Sequence, residues 1–168
     1  MHRSTPFSLL VLLVPACGGG GGGVVTPLTV PVTLQADPLD LGPATSEAEL
    51  VVQLATDSGQ APVLLQVAVE LPPALALAPG TRLLPARSLP TLDGEASSNR
   101  LLVLCGDAQN TDAAPLGKGP LFRVRLVAAS PRQTGTHSVR LTGLLASAAD
   151  GTPLTVATEP IEVPVRLR

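Results

Sequence analysis

The strongest constraint on this chain is a repeated alternation of aliphatic and polar residues with a period of two. It occurs in four segments, residues 63–71, 122–126, 139–143 and 161–167. Successive side chains of a β-strand point to opposite faces, so alternation buries one face and leaves the other in water. The four segments are therefore predicted to be strands of antiparallel sheets, each with one face on a hydrophobic core.

Turn-forming residues separate these segments and argue against long helices. The 168-residue chain contains 18 Pro and 16 Gly, and turns such as Asp93-Gly94 stand between the predicted strands. Pro breaks a helix and Gly weakens it. Eight or nine short strands in one domain, residues 28–168, are the pattern of a β-sandwich. We predict an all-β fold, an antiparallel jelly-roll sandwich, in which the fully apolar stretch 101–105 is a central strand.

Two Val-Pro-Val triplets, around Pro31 and Pro164, predict where the first and last strands lie. Proline has no N–H to give to a β-ladder and is confined to edge strands or bulges. Both terminal strands are therefore expected at one edge of the sandwich and close to each other. Their prolines would discourage edge-to-edge association with a second molecule.

The amino-terminal segment has the organisation of a secretory signal peptide. Residues 1–16 combine a positive start at Arg3 with a short apolar run, and residues 17–27 hold Cys17 followed by six consecutive glycines. The apolar run is too short to span a bilayer, which takes about 20 residues. We predict that residues 1–16 are removed and that residues 17–27 form a flexible tether before the domain.

The stretch LVPAC, residues 13–17, resembles the lipobox of bacterial lipoproteins. The resemblance implies that the Cys17 thiol carries a diacylglycerol and that cleavage frees its amine for acylation. Two or three acyl chains hold a protein on a membrane far more firmly than one. Gly18, rather than an aspartate, follows the cysteine, which implies outer-membrane sorting in a Gram-negative host. The expected location is therefore the outer membrane or cell surface.

The rest of the chain resembles the cohesin domain, the β-sandwich of cellulosome scaffoldins that is related to some carbohydrate-binding modules. The resemblance covers residues 28–168 and rests on four stretches: VPVTLQADP, AELVVQLA, NRLLVLCGDAQNTDAAPLGKGPLFRVRLVA and GTHSVRLTGLLASAADGTPLTV. It implies a non-enzymatic module that binds another protein, for scaffolding or adhesion. The aromatic residues common in that fold are almost all missing here, and the chain contains no dockerin-like repeat.

Outward-facing leucines of two predicted strands are the candidates for a protein-binding face. Leu64, Leu102 and Leu104 occupy the second face of apolar strands. They form an exposed apolar patch if nothing covers that face, and such patches mark interaction sites. The sequence does not identify the protein partner.

A polysaccharide-binding or carbohydrate-processing lipoprotein is the alternative. It needs a concave polar site, and Asp107, Asn110 and Asp112 share a polar loop whose oxygen atoms could bind calcium. Calcium is the only cofactor that the sequence suggests, and the spacing is unlike that of an EF-hand. Sugar sites on such sandwiches present aromatic side chains, whereas the mature chain has only Phe122, which the alternation places in the core.

Residue usage argues against several other classes of function. The net charge of −2 offers no basic surface for nucleic acid. His137 has no Cys or His partner at zinc-ligand spacing, and no nucleophile elbow suggests a hydrolase. If Cys17 is acylated, Cys105 has no disulfide partner and is expected to be a buried, inert thiol. We therefore predict no catalytic residue and no enzyme.

Overall fold

A computed structural model describes residues 30–44, 47–55, 60, 62–80, 82–107 and 113–168. The predicted signal peptide, Cys17 and the tether lie outside these ranges. The described residues form eleven strands: β1 Leu34–Ala36, β2 Leu39–Leu41, β3 Glu47–Leu54, β4 Leu64–Glu70, β5 Leu75–Leu77, β6 Leu83–Pro85, β7 Thr91–Ser97, β8 Arg100–Gly106, β9 Gly119–Ala128, β10 Gly135–Ser147 and β11 Ile161–Leu167. No helix in these ranges is long and apolar enough to cross a membrane.

The strands form two sheets that pack face to face. One sheet has the order β1-β3-β9-β5, with β6 also paired to β9, and the other has the order β2-β11-β10-β4-β8-β7. Neighbouring strands are antiparallel except for β2, which runs parallel to β11. The all-β sandwich that the alternation predicted is confirmed.

The core lies between the two sheets and is built from the alternating aliphatic positions. On β4, Leu65, Val67 and Val69 are buried, whereas Gln66 and Glu70 are partly exposed. The largest fully buried side chains include Phe122 and eleven Leu or Val residues. At roughly 25 cal/mol for each Å² of apolar surface removed from water, this layer supplies most of the driving force for folding.

The predicted number of strands, eight or nine, is too low. The Asp93-Gly94 pair, which was predicted to be a turn, lies within β7. The shortfall of two or three strands lies among the short strands β1, β2, β5 and β6, which have three residues each. Three residues are too few for a period of two to be recognisable in a sequence. These short strands form only because longer neighbours, chiefly β9 and β11, offer unpaired backbone groups beside them.

The edge prediction for the two proline triplets holds for one strand only. β1, which follows Pro31, is an edge strand, and it packs near β11 across the two sheets. The prediction is wrong for β11, because β2 pairs with it on its outer side. That pairing begins at Val165, and a parallel bridge there requires no N–H from Pro164, so the proline is tolerated.

Candidate functional site

The outer face of the six-stranded sheet, which is turned away from the core, carries the candidate site. Alternation on β4 and β8 directs four side chains to this face: Leu64, Gln66, Leu102 and Leu104. The residues between them, such as Leu65 and Val103, are fully buried. β8 lies between β4 and β7, which confirms its predicted central position.

An apolar groove of about 310 Å³ lies at one end of this outer face. Its lining comes from β4, β8, β10 and the chain that follows β10: Leu64, Gln66, Leu104, Leu145, Ala146, Ser147, Gly151, Pro153, Leu154 and Val156. Leu64 and Leu104, two of the three leucines predicted to form an interaction face, are therefore brought together here. Leu102 faces the same side outside the groove, opposite Ala68 and Glu95.

A bulge in β10 creates the most exposed apolar side chain of the groove. Thr142 pairs with Ala68 but Leu145 pairs with Gln66, so Gly143 and Leu144 stand opposite the single residue Val67 and β10 contains one extra residue. Gly143 within this insertion has φ +60°, a left-handed conformation that glycine adopts without strain. The bulge shifts the alternation, so Leu144 is buried whereas Leu145 is 58% exposed.

Residues 151–156, called the groove wall below, are held by backbone hydrogen bonds to the end of β10. The Ala148 N–H donates to the Thr152 carbonyl at 2.9 Å, and the Leu154 N–H donates to the Ala146 carbonyl at 2.9 Å. The wall is thus fixed in position although it forms no long strand. Leu154 and Val156 were not predicted, because no extended alternation marks this segment.

The groove wall is also joined to the first described residues of the chain. Val32 pairs in parallel with Val156, and the Val32 N–H donates to the Thr155 carbonyl at 2.8 Å. The Gln60 amide donates to the carbonyls of Val30 at 2.7 Å and of Thr155 at 3.1 Å. Its oxygen accepts the Thr155 N–H at 2.9 Å. The amino-terminal chain therefore reaches the domain beside the groove.

Two exposed carboxylates lie beside the groove, and a third lies farther along β7. Asp93 lies on β7 opposite Leu104, Glu95 follows on the same face, and Asp150 precedes the groove wall; all three are exposed. The Thr152 N–H donates to Asp150 and lowers the pKa of that carboxyl, which keeps it ionised. Among the described residues, no ion pair involves these three carboxylates with an arginine or a lysine. The rim of the groove is therefore acidic.

The opposite end of the outer face is a ladder of paired charges. Glu70 on β4 lies between Arg100 on β8 and Arg140 on β10 in the strand register. The Arg140 Nε lies 2.9 Å from Glu162, and the Thr142 hydroxyl donates to Glu70 at 2.9 Å. We call this cluster the charged end; its groups find partners within the protein.

A second pocket of about 310 Å³ lies beside the loop that was considered for calcium. It is lined by Arg87, Ser88, Leu89, Pro90, Gly106, Asp107, Ala114, Pro115 and Leu116. Asn110 and Asp112 lie outside the described residues. In the described ranges, no group of three or more His, Cys, Asp or Glu side chains could hold a metal ion. The guanidinium of Arg87 shares the pocket with Asp107 and opposes a divalent cation there.

Cys105 and Phe122 lie where the sequence placed them. Both are fully buried, Cys105 on β8 and Phe122 on β9. Burial raises the pKa of the Cys105 thiol to about 11, against a smaller opposite effect of the Arg87 charge. The thiol is therefore protonated and inert at neutral pH. His137 is half-buried near the start of β10, with Nε2 3.2 Å from the Gln133 carbonyl.

No family model matches this sequence, and no curated protein matches it. Solved structures of cohesin modules are similar in fold. A non-cellulosomal cohesin from Archaeoglobus fulgidus aligns with a TM-score of 0.64 at 19% identity, over 83% of this chain and 92% of that one. The seventh ScaB type I cohesin from Pseudobacteroides cellulosolvens gives 0.68 at 11% identity, over 82% and 92%.

A third similar structure is the OlpA cohesin from Clostridium thermocellum, solved as a type I cohesin–dockerin complex. It aligns with a TM-score of 0.65 at 12% identity, over 83% of this chain and 100% of that one. At these identities the likeness concerns the arrangement of strands and not particular side chains. The fold of this chain is that of the cohesin modules.

Proposed function

We propose that this chain is a non-enzymatic, membrane-tethered lipoprotein of the cell envelope that binds another protein through the apolar groove. The observation that carries the proposal is Leu145, which is 58% exposed in a groove whose other large aliphatic side chains are partly buried. Covering an exposed aliphatic side chain is favourable by about 1.5–3 kcal/mol. The groove is therefore a surface that a partner would stabilise.

Similar structures support a protein as the ligand. The cohesins of Clostridium thermocellum and Clostridium acetobutylicum that share this fold were solved as complexes with dockerins. Dockerin binding is a property of those proteins, at 8–13% identity. For this chain we carry over only the general kind of partner, a folded protein module, for scaffolding or adhesion.

The chemistry of the groove specifies the partner further. Its lining is mainly aliphatic, and the carboxylates of Asp93 and Asp150 adjoin it, with Glu95 farther along β7. A matching surface presents aliphatic side chains flanked by lysine or arginine, because like charges opposite each other weaken binding and opposite charges accelerate association. The partner's aliphatic side chains would contact Leu64, Leu104 and Leu145.

The lipobox-like sequence and the glycine tether support the location. We propose that residues 1–16 direct secretion, that Cys17 carries the lipid anchor, and that residues 17–27 hold the domain clear of the outer membrane. A coil of this composition spans about 5–6 Å × √n for n residues, or about 18 Å over eleven residues. That reach suits a module that meets its partner at the cell surface.

The polysaccharide alternative gains no support from the described residues. Phe122 is fully buried and offers no stacking surface to a sugar ring. The pocket at Asp107 contains a guanidinium, which disfavours calcium-assisted sugar binding there. These features support a protein, and not a polysaccharide, as the ligand that we propose.

The test is affinity capture from envelope extract with the mature chain, compared between two variants. Leu145→Glu places a charge in the groove, and Thr136→Glu places the same charge at an exposed position of β10 outside it. We expect one protein, captured saturably by the wild type and by Thr136→Glu, to be lost with Leu145→Glu. Equal capture by both variants, or recovery of glycan instead of protein, would refute binding through the groove.

Membrane attachment is tested separately from binding. Mass spectrometry of the amino-terminal peptide should show an acylated Cys17, and Cys17→Ser should move the protein from the membrane fraction to the soluble fraction. An unmodified Cys17 in the mature protein would contradict the lipoprotein proposal and leave the groove experiment intact.

A further inference from the structure

Arg87, in the connection between β6 and β7, is a partly buried cation with an incomplete set of hydrogen-bond partners. Its Nη1 donates to the Gly117 carbonyl at 2.7 Å. Its Nε and Nη2 are buried and have no hydrogen-bond partner in the described part of the chain. A guanidinium carries five N–H donors, and donors removed from water without an acceptor destabilise the folded state. The described residues therefore supply no acceptor for these two nitrogen atoms.

The identity of the two unpartnered atoms specifies the shape of the missing acceptor. Nε and Nη2 lie on the same edge of the planar guanidinium, so their N–H bonds run side by side. This edge matches the two oxygen atoms of a carboxylate in a bidentate pair, which is shorter and stronger than a neutral hydrogen bond. A backbone carbonyl or a hydroxyl could accept only part of this donor set.

A pocket adjoins the guanidinium. Arg87 lines the pocket of about 310 Å³ described above, which also includes Ser88 and the apolar side chains of Leu89 and Leu116. The volume exceeds what one carboxylate group needs and leaves room for an attached hydrocarbon. Because Nε and Nη2 are closed to solvent, a ligand reaches them only if the exposed residues Ala114 and Pro115, which lie outside any strand, shift.

We propose that this pocket binds a small organic acid, with the carboxylate paired to Nε and Nη2 of Arg87. The hydrocarbon part of the acid would contact Leu89 and Leu116, and Ser88 adds a polar residue to the lining. Burial already lowers the pKa of Arg87, and the arriving negative charge offsets that unfavourable burial. The site is separate from the groove and does not depend on the proposed protein partner.

The test is a titration of the ¹⁵N-labelled mature chain with sodium propionate, followed by the arginine Nε–H signals in NMR spectra. Propionamide, which has the same shape without the charge, and sodium chloride at matched ionic strength are the controls. We expect one signal, absent in Arg87→Lys, to shift saturably with propionate and not with either control. Near saturation the melting temperature of the wild type should rise by roughly 3 °C, and that of Arg87→Lys should not. No shift at about 100 mM propionate would overturn the proposal.

A second variant distinguishes a ligand site from an internal ion pair. If Arg87 awaits an external carboxylate, Arg87→Met in carboxylate-free buffer should melt no lower than the wild type, because it removes an unpaired charge. If a carboxylate of the chain itself pairs with Arg87, Arg87→Met should melt several degrees lower, and Asp107→Asn or Asp112→Asn should reproduce the loss. That second pattern would overturn the proposal.

Discussion

The two ends of the outer face lie on the same strands but differ in how their outward-facing side chains are stabilised. At the charged end, Glu70, Arg140 and Glu162 pair with neighbours on adjacent strands. At the groove end, Leu104 and Leu145 remain partly or mostly exposed to water. A charged ladder is satisfied within the protein, whereas an apolar groove lowers its free energy only when something covers it. The groove end, and not the charged end, is therefore the part of this face that a partner would stabilise.

The largest expected effect on stability lies beneath the groove. Leu65 is fully buried, and Leu64, the preceding residue, lies on the outer face. We expect Leu65→Ala to lower the free energy of unfolding by about 2–5 kcal/mol, because it leaves a cavity in the core. Leu64→Ala, with the same chemical change, should cost less than about 1 kcal/mol. Urea denaturation measures both, and similar losses would show that the groove floor is part of the core.

The thiol beneath the groove should make stability fall at alkaline pH. The pKa of Cys105 is raised in the folded protein from 9.0 to about 11, so its neutral form favours folding. This contribution is complete below pH 9 and is lost as the pH rises from about 9 to 11, by roughly 2–3 kcal/mol. The chain has no Tyr and one Lys, so few other groups titrate there.

Urea denaturation of the wild type and of Cys105→Val between pH 8 and 11 tests this dependence. The variant should lose the wild type's decline across that range. A decline of the same size in the variant would assign the effect to other groups.

The charged end should contribute least to stability. Arg140 and Glu162 are both about half exposed, and exposed ion pairs contribute about 0.2–1 kcal/mol. We expect Arg140→Ala to cost no more than about 1 kcal/mol and the loss to shrink at high salt. Leu145→Gln, at the groove end, should change stability by less than about 0.5 kcal/mol. A loss from Arg140→Ala that exceeds that from Leu65→Ala would reverse the comparison.

Alternation was sufficient to predict the sandwich because most core residues occupy every second position of long strands. It was also sufficient to place Phe122 and Cys105 inside and to select Leu64 and Leu104 as outward-facing. It failed where a bulge changes the phase. Continuing the period of two beyond Leu141 places Leu145 in the core, whereas Leu145 is the exposed residue of the groove. Gly143 within a strand was the one local signal of a bulge.

The remaining features depend on contacts between distant parts of the chain. The groove wall follows β10 without an alternating pattern, and Val156 lines the groove only because the wall folds back along β10. Likewise Arg87 meets the Gly117 carbonyl 30 residues away. A sequence pattern describes neighbours along the chain and contains no signal for contacts between residues that are distant in sequence.

The hydrogen bonds that join Gln60, Val30 and Thr155 acquire a mechanical meaning if the domain hangs from its amino-terminal end. A pull on the tether would reach the fold at Val30, which Gln60 holds, and at Val32, which pairs in parallel with Val156 of the groove wall. When parallel segments are pulled along their length, the hydrogen bonds between them are loaded together. They must break at the same time, so the segments resist separation. A partner bound in the groove would contact the same wall through Leu154 and Val156. Residues 151–156 would then both resist the pull on the tether and contact the bound partner.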